Sequence, residues 1–105
     1  MGLEFNVELE FSRVTKPQAR EIASEIRPYT IDAQPHGSPY VPNPVEDSKE
    51  TNGTRVDDRR ISVFLDAETH QAAKAKAAEL CIMVQKTLRY QGRVFGVYEM
   101  NRARQ

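Results

Sequence analysis

Hydrophobic and polar residues alternate without interruption in LEFNVELEF, residues 3–11. Alternation with a period of two is typical of a β-strand that has one buried and one solvated face. The pattern therefore predicts a first strand at residues 3–11, whose solvated face carries Glu4, Asn6, Glu8 and Glu10.

The segment after this strand has the spacing of an α-helix. Thr15 and Gln18 have the spacing of a capping box, and a proline falls in the first turn, where proline is tolerated. Apolar residues then recur at helical intervals, until Pro28 disfavours a helical backbone at Arg27. We expect a helix over about residues 16–27 that lays an apolar stripe on a sheet.

The second half of the chain repeats the order of strand and helix. ISVFL, residues 61–65, alternates again, and Asp66 is placed to cap a helix that follows it. Gly92 is expected to end that helix at about residue 91. The apolar run RVFGVYEM, residues 93–100, predicts a last strand.

The second strand has two candidates. Asn52-Gly53 is a strong hairpin signal and makes residues 45–51 the incoming arm, whereas residues 29–33 are the alternative. Either choice predicts an α+β fold with βαββαβ order, the ferredoxin-like split motif. Its four-stranded antiparallel sheet would have the order 4-1-3-2, with two helices on one face.

The length of 105 residues fits one domain. We expect this domain at residues 1–100, with a proline-rich and polar insertion at about 33–58 and a basic tail at 101–105. With 15 basic and 15 acidic residues, the chain has no net field that would attract nucleic acid or an anionic membrane. Its longest apolar run, residues 80–84, is far shorter than the ~20 residues of a membrane span. Because the first residues are acidic rather than signal-like, we expect a cytoplasmic protein.

Catalytic and metal-binding patterns are missing from the sequence. His36 and His70 each stand apart from other strong ligands, and no phosphate-binding glycine motif occurs. Cys81 lies in the apolar run of a helix, so we interpret it as a small core residue. We therefore expect neither an enzyme nor a cofactor.

The predicted sheet surface argues against RNA. A ferredoxin-like sheet that binds RNA stacks bases on aromatic residues of its central strands, but here the first strand is acidic and the third offers only Phe64. We expect the glutamates to pair across the ladder with Arg60 and Arg93 instead.

The last strand favours association with protein. VFGVY has no charge and no proline, so an uncovered edge there would invite a second chain. The interface residues would be Val94, Phe95, Val97 and Tyr98, and Ile82 would add a smaller apolar patch on the second helix. We expect a homodimer or a complex with another protein; the alternative is that the C-terminal tail folds back over this edge.

Four of the six prolines lie in residues 33–44. Such a segment is extended and cannot join the middle of a sheet, so we interpret it as a connector anchored by Tyr40. A binding role that includes His36 is the secondary interpretation.

Together these features predict a small non-enzymatic protein-interaction module that self-associates. Small domains without motifs are common in phages and mobile elements, which suggests an accessory or host-modulating protein, or alternatively a tail or connector component. A nucleic-acid-binding accessory protein would use Arg93, Arg102 and Arg104. A small-molecule-binding protein or enzyme would need a concave pocket where Tyr29, His36 and Tyr40 meet the sheet.

Overall fold

The computed structural model describes residues 2–36 and 55–100. Within these residues the chain forms four strands and two helices, and a short 3₁₀ turn, Arg27–Tyr29, follows the first helix. In chain order the elements are β1 (Leu3–Val14), α1 (Lys16–Ile26), β2 (Asp32–Pro35), β3 (Asp57–Ala67), α2 (His70–Leu88) and β4 (Gly92–Glu99).

The strands form one sheet with the order β2-β3-β1-β4, and every neighbouring pair is antiparallel. Both helices contact the sheet and each other, and a single hydrophobic core lies between them and the sheet. The predicted α+β fold, with two helices and a four-stranded antiparallel sheet, is therefore confirmed. No helix among the described residues is long and apolar enough to cross a membrane.

The centre of the core is β1. Its alternating residues Phe5, Val7, Leu9 and Phe11 are completely buried. Each fully buried side chain of this kind contributes roughly 1.5–3 kcal/mol relative to an exposed one. The period-two alternation thus sets which face of the sheet packs against the helices.

The capping box of α1 forms as predicted. The backbone N–H of Gln18 donates to Thr15 Oγ1 over 3.2 Å, and the backbone N–H of Thr15 donates to Gln18 Oε1 over 2.8 Å. These two bonds satisfy donors that the first helical turn leaves without partners inside the helix. Ala19, Ile22, Ala23 and Ile26 then lie buried against the sheet.

The predicted first strand was too short. β1 continues to Val14 through an irregularity after Phe11, where Arg13 has a φ of 58°. The Arg13 backbone N–H donates to Asp58 Oδ1 over 3.1 Å, which holds this irregular position against β3. The alternating pattern ends at Phe11, so sequence periodicity could not show the extension.

Both predicted boundaries of the second helix were wrong. Asp66 is still in β3, and the N-cap is Thr69, whose hydroxyl accepts from Ala72 N–H over 3.0 Å. The helix ends at Leu88, because Arg89 turns left-handed with φ 67°. Gly92 begins β4 instead, and glycine fits there because a Cβ would come within 2.2 Å of the Phe11 ring.

The second strand lies at Asp32–Pro35 and overlaps the earlier of the two predicted segments. The other candidate, residues 45–51, lies outside the described residues, as does the Asn52-Gly53 turn. Pro35 is tolerated because β2 is at the edge of the sheet.

Candidate functional site

The face of the sheet away from the helices, here called the open face, carries polar and aromatic side chains in rows. The strand register sets Gln34, Ser62, Glu8 and Gly96 side by side across the four strands. Because Gly96 has no side chain, Glu8 has a side-chain neighbour in its own row only on the β3 side.

Glu8 and Ser62 are unusually buried for an outer face, each only 8% exposed. The Ser62 hydroxyl donates to Glu8 Oε2 over 2.8 Å, and His36 Nδ1 lies 3.1 Å from Ser62 Oγ. The second carboxylate oxygen, Oε1, is buried and has no hydrogen-bond partner among the described residues, and His36 Nδ1 is 3.7 Å away from it. Three residues that are far apart in sequence thus meet on the open face.

A cation–π contact bridges the strands on either side of β1. The Arg60 guanidinium lies 3.8 Å from the centre of the Phe95 ring, although Arg60 is on β3 and Phe95 on β4. These strands are separated by β1, so they stand about 10 Å apart, and the two side chains must meet above β1. We attribute the burial of Glu8 in part to this contact.

The predicted ladder of opposite charges is confirmed at Glu10. Its register partners are Arg60 on one side and Arg93 on the other. Arg93 donates to Glu10 Oε1 through Nη2 at 2.8 Å and through Nε at 3.1 Å. This pair offsets the charge that a nucleic-acid site at Arg93 would use.

Aromatic side chains on β4 also reach the open face. Tyr98 is opposite Asn6, whose other neighbour is Phe64, and the Tyr98 ring covers the backbone of Gly96. Phe95 is the extra residue of a bulge, since Glu8 faces Gly96 while Leu9 faces Val94. The two central strands carry one aromatic residue on this face, Phe64, so the rings on β4 were not predicted from the sequence.

Within the described residues, β2 and β4 are the two edges of the sheet. The backbone N–H of Met100 donates to the Glu4 carbonyl, so the backbone groups of Met100 face β1. Because backbone direction alternates along an antiparallel ladder, the N–H and C=O groups of Tyr98 also face β1, whereas those of Val97 and Glu99 face outward.

One side chain occupies part of the β4 edge. The His70 imidazole, at the start of α2, places Nε2 3.3 Å from the outward carbonyl of Val97. Its ring also meets Phe5 edge-on, with 6.1 Å between ring centres. Beside it, His70, Lys74 and residues 94–97 line a cleft of about 200 Å³.

The β2 edge is covered more completely. The backbone N–H of His36 donates to the Arg60 carbonyl, so by the same alternation the backbone groups of Ala33 and Pro35 face outward. The Arg27 side chain donates to the Ala33 carbonyl through Nε at 3.0 Å and Nη2 at 2.6 Å. Pro35 has no N–H to offer a further strand.

The predicted interface residues are only partly brought together. Val94, Phe95, Val97 and Tyr98 share β4, where the two valines pack on the core while Phe95 and Tyr98 are 37% and 52% exposed. Ile82 is exposed on the outer face of α2, with Ala75 and Ala78 at helical spacing, rather than on β4. Tyr40, Arg102 and Arg104 lie outside the described residues.

Tyr29 and His36, two of the residues named for a small-molecule pocket, lie on opposite sides of the sheet. Tyr29 lines a cleft of about 380 Å³ on the helical side of the sheet, together with Leu65 and Leu80. His36 contacts Ser62 on the open face. The two side chains diverge because the 3₁₀ turn carries Tyr29 toward α2 before β2 begins.

Cys81 is buried in α2 as expected, and this burial raises the pKa of its thiol to about 11. A thiol with such a pKa stays protonated at neutral pH and is a poor nucleophile. Among the described residues, no three acidic, histidine or cysteine side chains cluster as metal ligands.

No protein-family model, curated protein or solved structure matches this chain. Its function is therefore inferred from the geometry of the open face and of the two sheet edges.

Proposed function

We propose that this protein is a non-enzymatic interaction module that self-associates through the outer edge of β4. The observation that supports this proposal is the difference between the β2 and β4 edges of the sheet. Arg27 and Pro35 close the β2 edge, whereas the β4 edge directs the backbone groups of Val97 and Glu99 outward. An outward row of N–H and C=O groups is a template for an added strand.

The side chains beside the β4 edge suit a second copy of the same strand. Two copies related by a two-fold axis would pair antiparallel, so the beginning of one β4 would lie beside the end of the other. Lys74 flanks the middle of β4, and Glu99 ends it. An antiparallel arrangement brings Glu99 of one copy toward Lys74 of the other, while the exposed Phe95 and Tyr98 rings add apolar area.

We also propose that the fold is of the ferredoxin-like type. Counted from β4, the strand order is 4-1-3-2, and the antiparallel pairs are those that the split βαββαβ motif requires. In this topology β4 is an edge strand, so the fold supplies the surface that the proposed association uses.

The test removes one outward N–H without disturbing β1. Replacing Glu99 by proline deletes a donor on the free side of β4 and leaves the bonds of Tyr98 and Met100 toward β1 in place. The matched control is Glu99→Ala, which removes the same carboxylate and keeps the N–H. A lysine at Val97 would be a poorer probe, because Val97 packs against the core.

Sedimentation velocity over a concentration series would report the association of each variant. We expect a dimer for the parent chain, a dissociation constant raised more than tenfold by Glu99→Pro, which is about 1.4 kcal/mol, and a smaller change for Glu99→Ala. A parent chain that stays monomeric at high micromolar concentration would contradict the proposal. So would a Glu99→Pro variant that associates as tightly as Glu99→Ala.

A further inference from the structure

The contact between Glu8 and Ser62 has one direction. An ionised carboxylate can only accept hydrogen bonds, and a serine hydroxyl has a single proton to donate. The 2.8 Å bond from Ser62 Oγ to Glu8 Oε2 therefore uses the only proton of Ser62.

This direction determines which ring nitrogen of His36 carries the proton. With its proton donated to Glu8, Ser62 Oγ can only accept from His36 Nδ1, 3.1 Å away, so Nδ1 must carry a hydrogen. The same nitrogen is 3.7 Å from Glu8 Oε1, the buried oxygen for which the described part of the chain supplies no hydrogen-bond partner. Because a neutral imidazole has only one N–H, its Nε2 is left with a free lone pair.

The reverse direction would require a protonated Glu8 that donates to Ser62, with Ser62 donating to a bare Nδ1. That arrangement would turn the Nδ1 lone pair toward Glu8 Oε1. In the neighbouring row Glu10 lies between Arg60 and Arg93, so positively charged side chains share the open face with Glu8. The acidic neighbour on the β2 side, Asp32, is itself 3.6 Å from Arg27.

We propose that Glu8, Ser62 and His36 form a hydrogen-bond relay that presents His36 Nε2 as a preset binding point on the open face. Its ligand would be a group that accepts a lone pair, either a protic N–H or O–H group or a borderline divalent cation. Histidines that bind such groups typically donate their other N–H to an acceptor that fixes the tautomer. The His36 side chain is 42% exposed, so a ligand can reach it.

His70 provides a control within the same chain. Its Nε2 lies 3.3 Å from the Val97 carbonyl, which can only accept, so Nε2 carries the proton there. The two histidines that the structure describes are therefore expected to hold opposite tautomers. His36 is protonated on Nδ1, and His70 is protonated on Nε2.

Long-range ¹H–¹⁵N correlation spectra of the ¹⁵N-labelled full chain, recorded where both imidazoles are neutral, distinguish the two tautomers. We expect a majority Nδ1–H form for His36 and a majority Nε2–H form for His70. Ser62→Ala should move His36 toward Nε2–H and leave His70 unchanged, and Ser62→Thr, which keeps a hydroxyl, should restore Nδ1–H. A majority Nε2–H form of His36 in the parent chain would overturn the relay, whether or not the variants fold.

Zn²⁺ alone would probe the binding point. In a titration followed by the same spectra, His36 Nε2 should respond at a concentration at least threefold lower than either nitrogen of His70. Ser62→Ala should remove that preference while the backbone spectrum stays folded. An equal response of both histidines in the parent chain, or an unchanged preference in Ser62→Ala, would refute the proposed site. The tautomer of His36 is read on the open face, away from the β4 edge where His70 lies.

Discussion

The two edges of the sheet use the same backbone pattern but present different surfaces to a further strand. On β2, the outward carbonyl of Ala33 accepts two bonds from Arg27, and the next outward residue, Pro35, lacks an N–H. On β4, His70 reaches one outward carbonyl through a longer contact, and Glu99 extends the outward pattern. Edge protection therefore depends on a few side chains, not on strand geometry.

The bulge at Phe95 changes what the β4 edge can do. It interrupts the regular ladder, and bulges are one way in which proteins blunt an edge. Past the bulge, however, Gly96, Val97 and Tyr98 keep a regular register with β1. The pairing surface that we propose is thus the second half of β4, which is why Glu99→Pro is a sharper test than a change at Phe95.

Removing the side chains that protect the β2 edge should have the largest effect on stability and on association. Arg27→Ala deletes two charge-assisted bonds from a half-exposed side chain, so we expect a loss of about 1–2 kcal/mol in the free energy of unfolding. Combined with Pro35→Ala, it should make a second edge available and produce species larger than a dimer in sedimentation.

Arg20→Ala is the matched control for Arg27→Ala, because Arg20 is an exposed arginine on α1. It should leave both urea unfolding and the sedimentation profile nearly unchanged. If the Arg27→Ala, Pro35→Ala variant forms no larger species, closure of β2 by these two residues would not be what directs association to β4.

Removing the side chain that occupies the β4 edge should have an intermediate effect. His70→Ala frees the Val97 carbonyl and also removes the edge-on contact with Phe5, so we expect stability to fall by about 0.5–1.5 kcal/mol. Dimerisation should nevertheless tighten severalfold, as measured by sedimentation. Gln71→Ala, at the neighbouring exposed position, should change neither quantity, and weaker dimerisation of His70→Ala would mean that His70 supports the interface.

A change near β4 that leaves its edge alone should have the smallest effect. Arg89 ends α2 in the left-handed region, where glycine is favoured, so Arg89→Gly should raise the free energy of unfolding by about 0.5–1 kcal/mol. Chemical denaturation measures this gain, and Arg89→Ala should not show it. An altered dimerisation constant in Arg89→Gly would show that association follows overall stability rather than the edge.

Local patterns were sufficient for much of the fold. Strict alternation predicted β1 and its buried face, and the Thr15–Gln18 spacing predicted the start of α1. The pairing of Glu10 with Arg93 followed once the strand order was assumed. Each of these features depends on residues within a few positions of one another or on a single register.

Boundaries and side-chain clusters were harder to predict. Asp66 and Thr69 are both acceptable N-caps, and only the pairing of Leu3 with Ala67 shows that β3 continues past Asp66. Likewise, Gly92 resembled a helix stop, although it is a glycine because the Phe11 ring occupies the space of a Cβ. Contacts between residues distant in the sequence therefore determine where β3 ends and why residue 92 is a glycine.

The sequence by itself determined the α+β class, the faces of β1 and β3, and the acidic character of the central strand. Hydrophobic periodicity carries that information, because side chains alternate along a strand regardless of its partners. Tertiary structure alone decided that His36 would meet Ser62 and Glu8, and that Arg27 would bond to one edge strand of the described sheet while β4 became the other edge. Register and edge position are properties of pairs of strands, so no single segment of the sequence contains them.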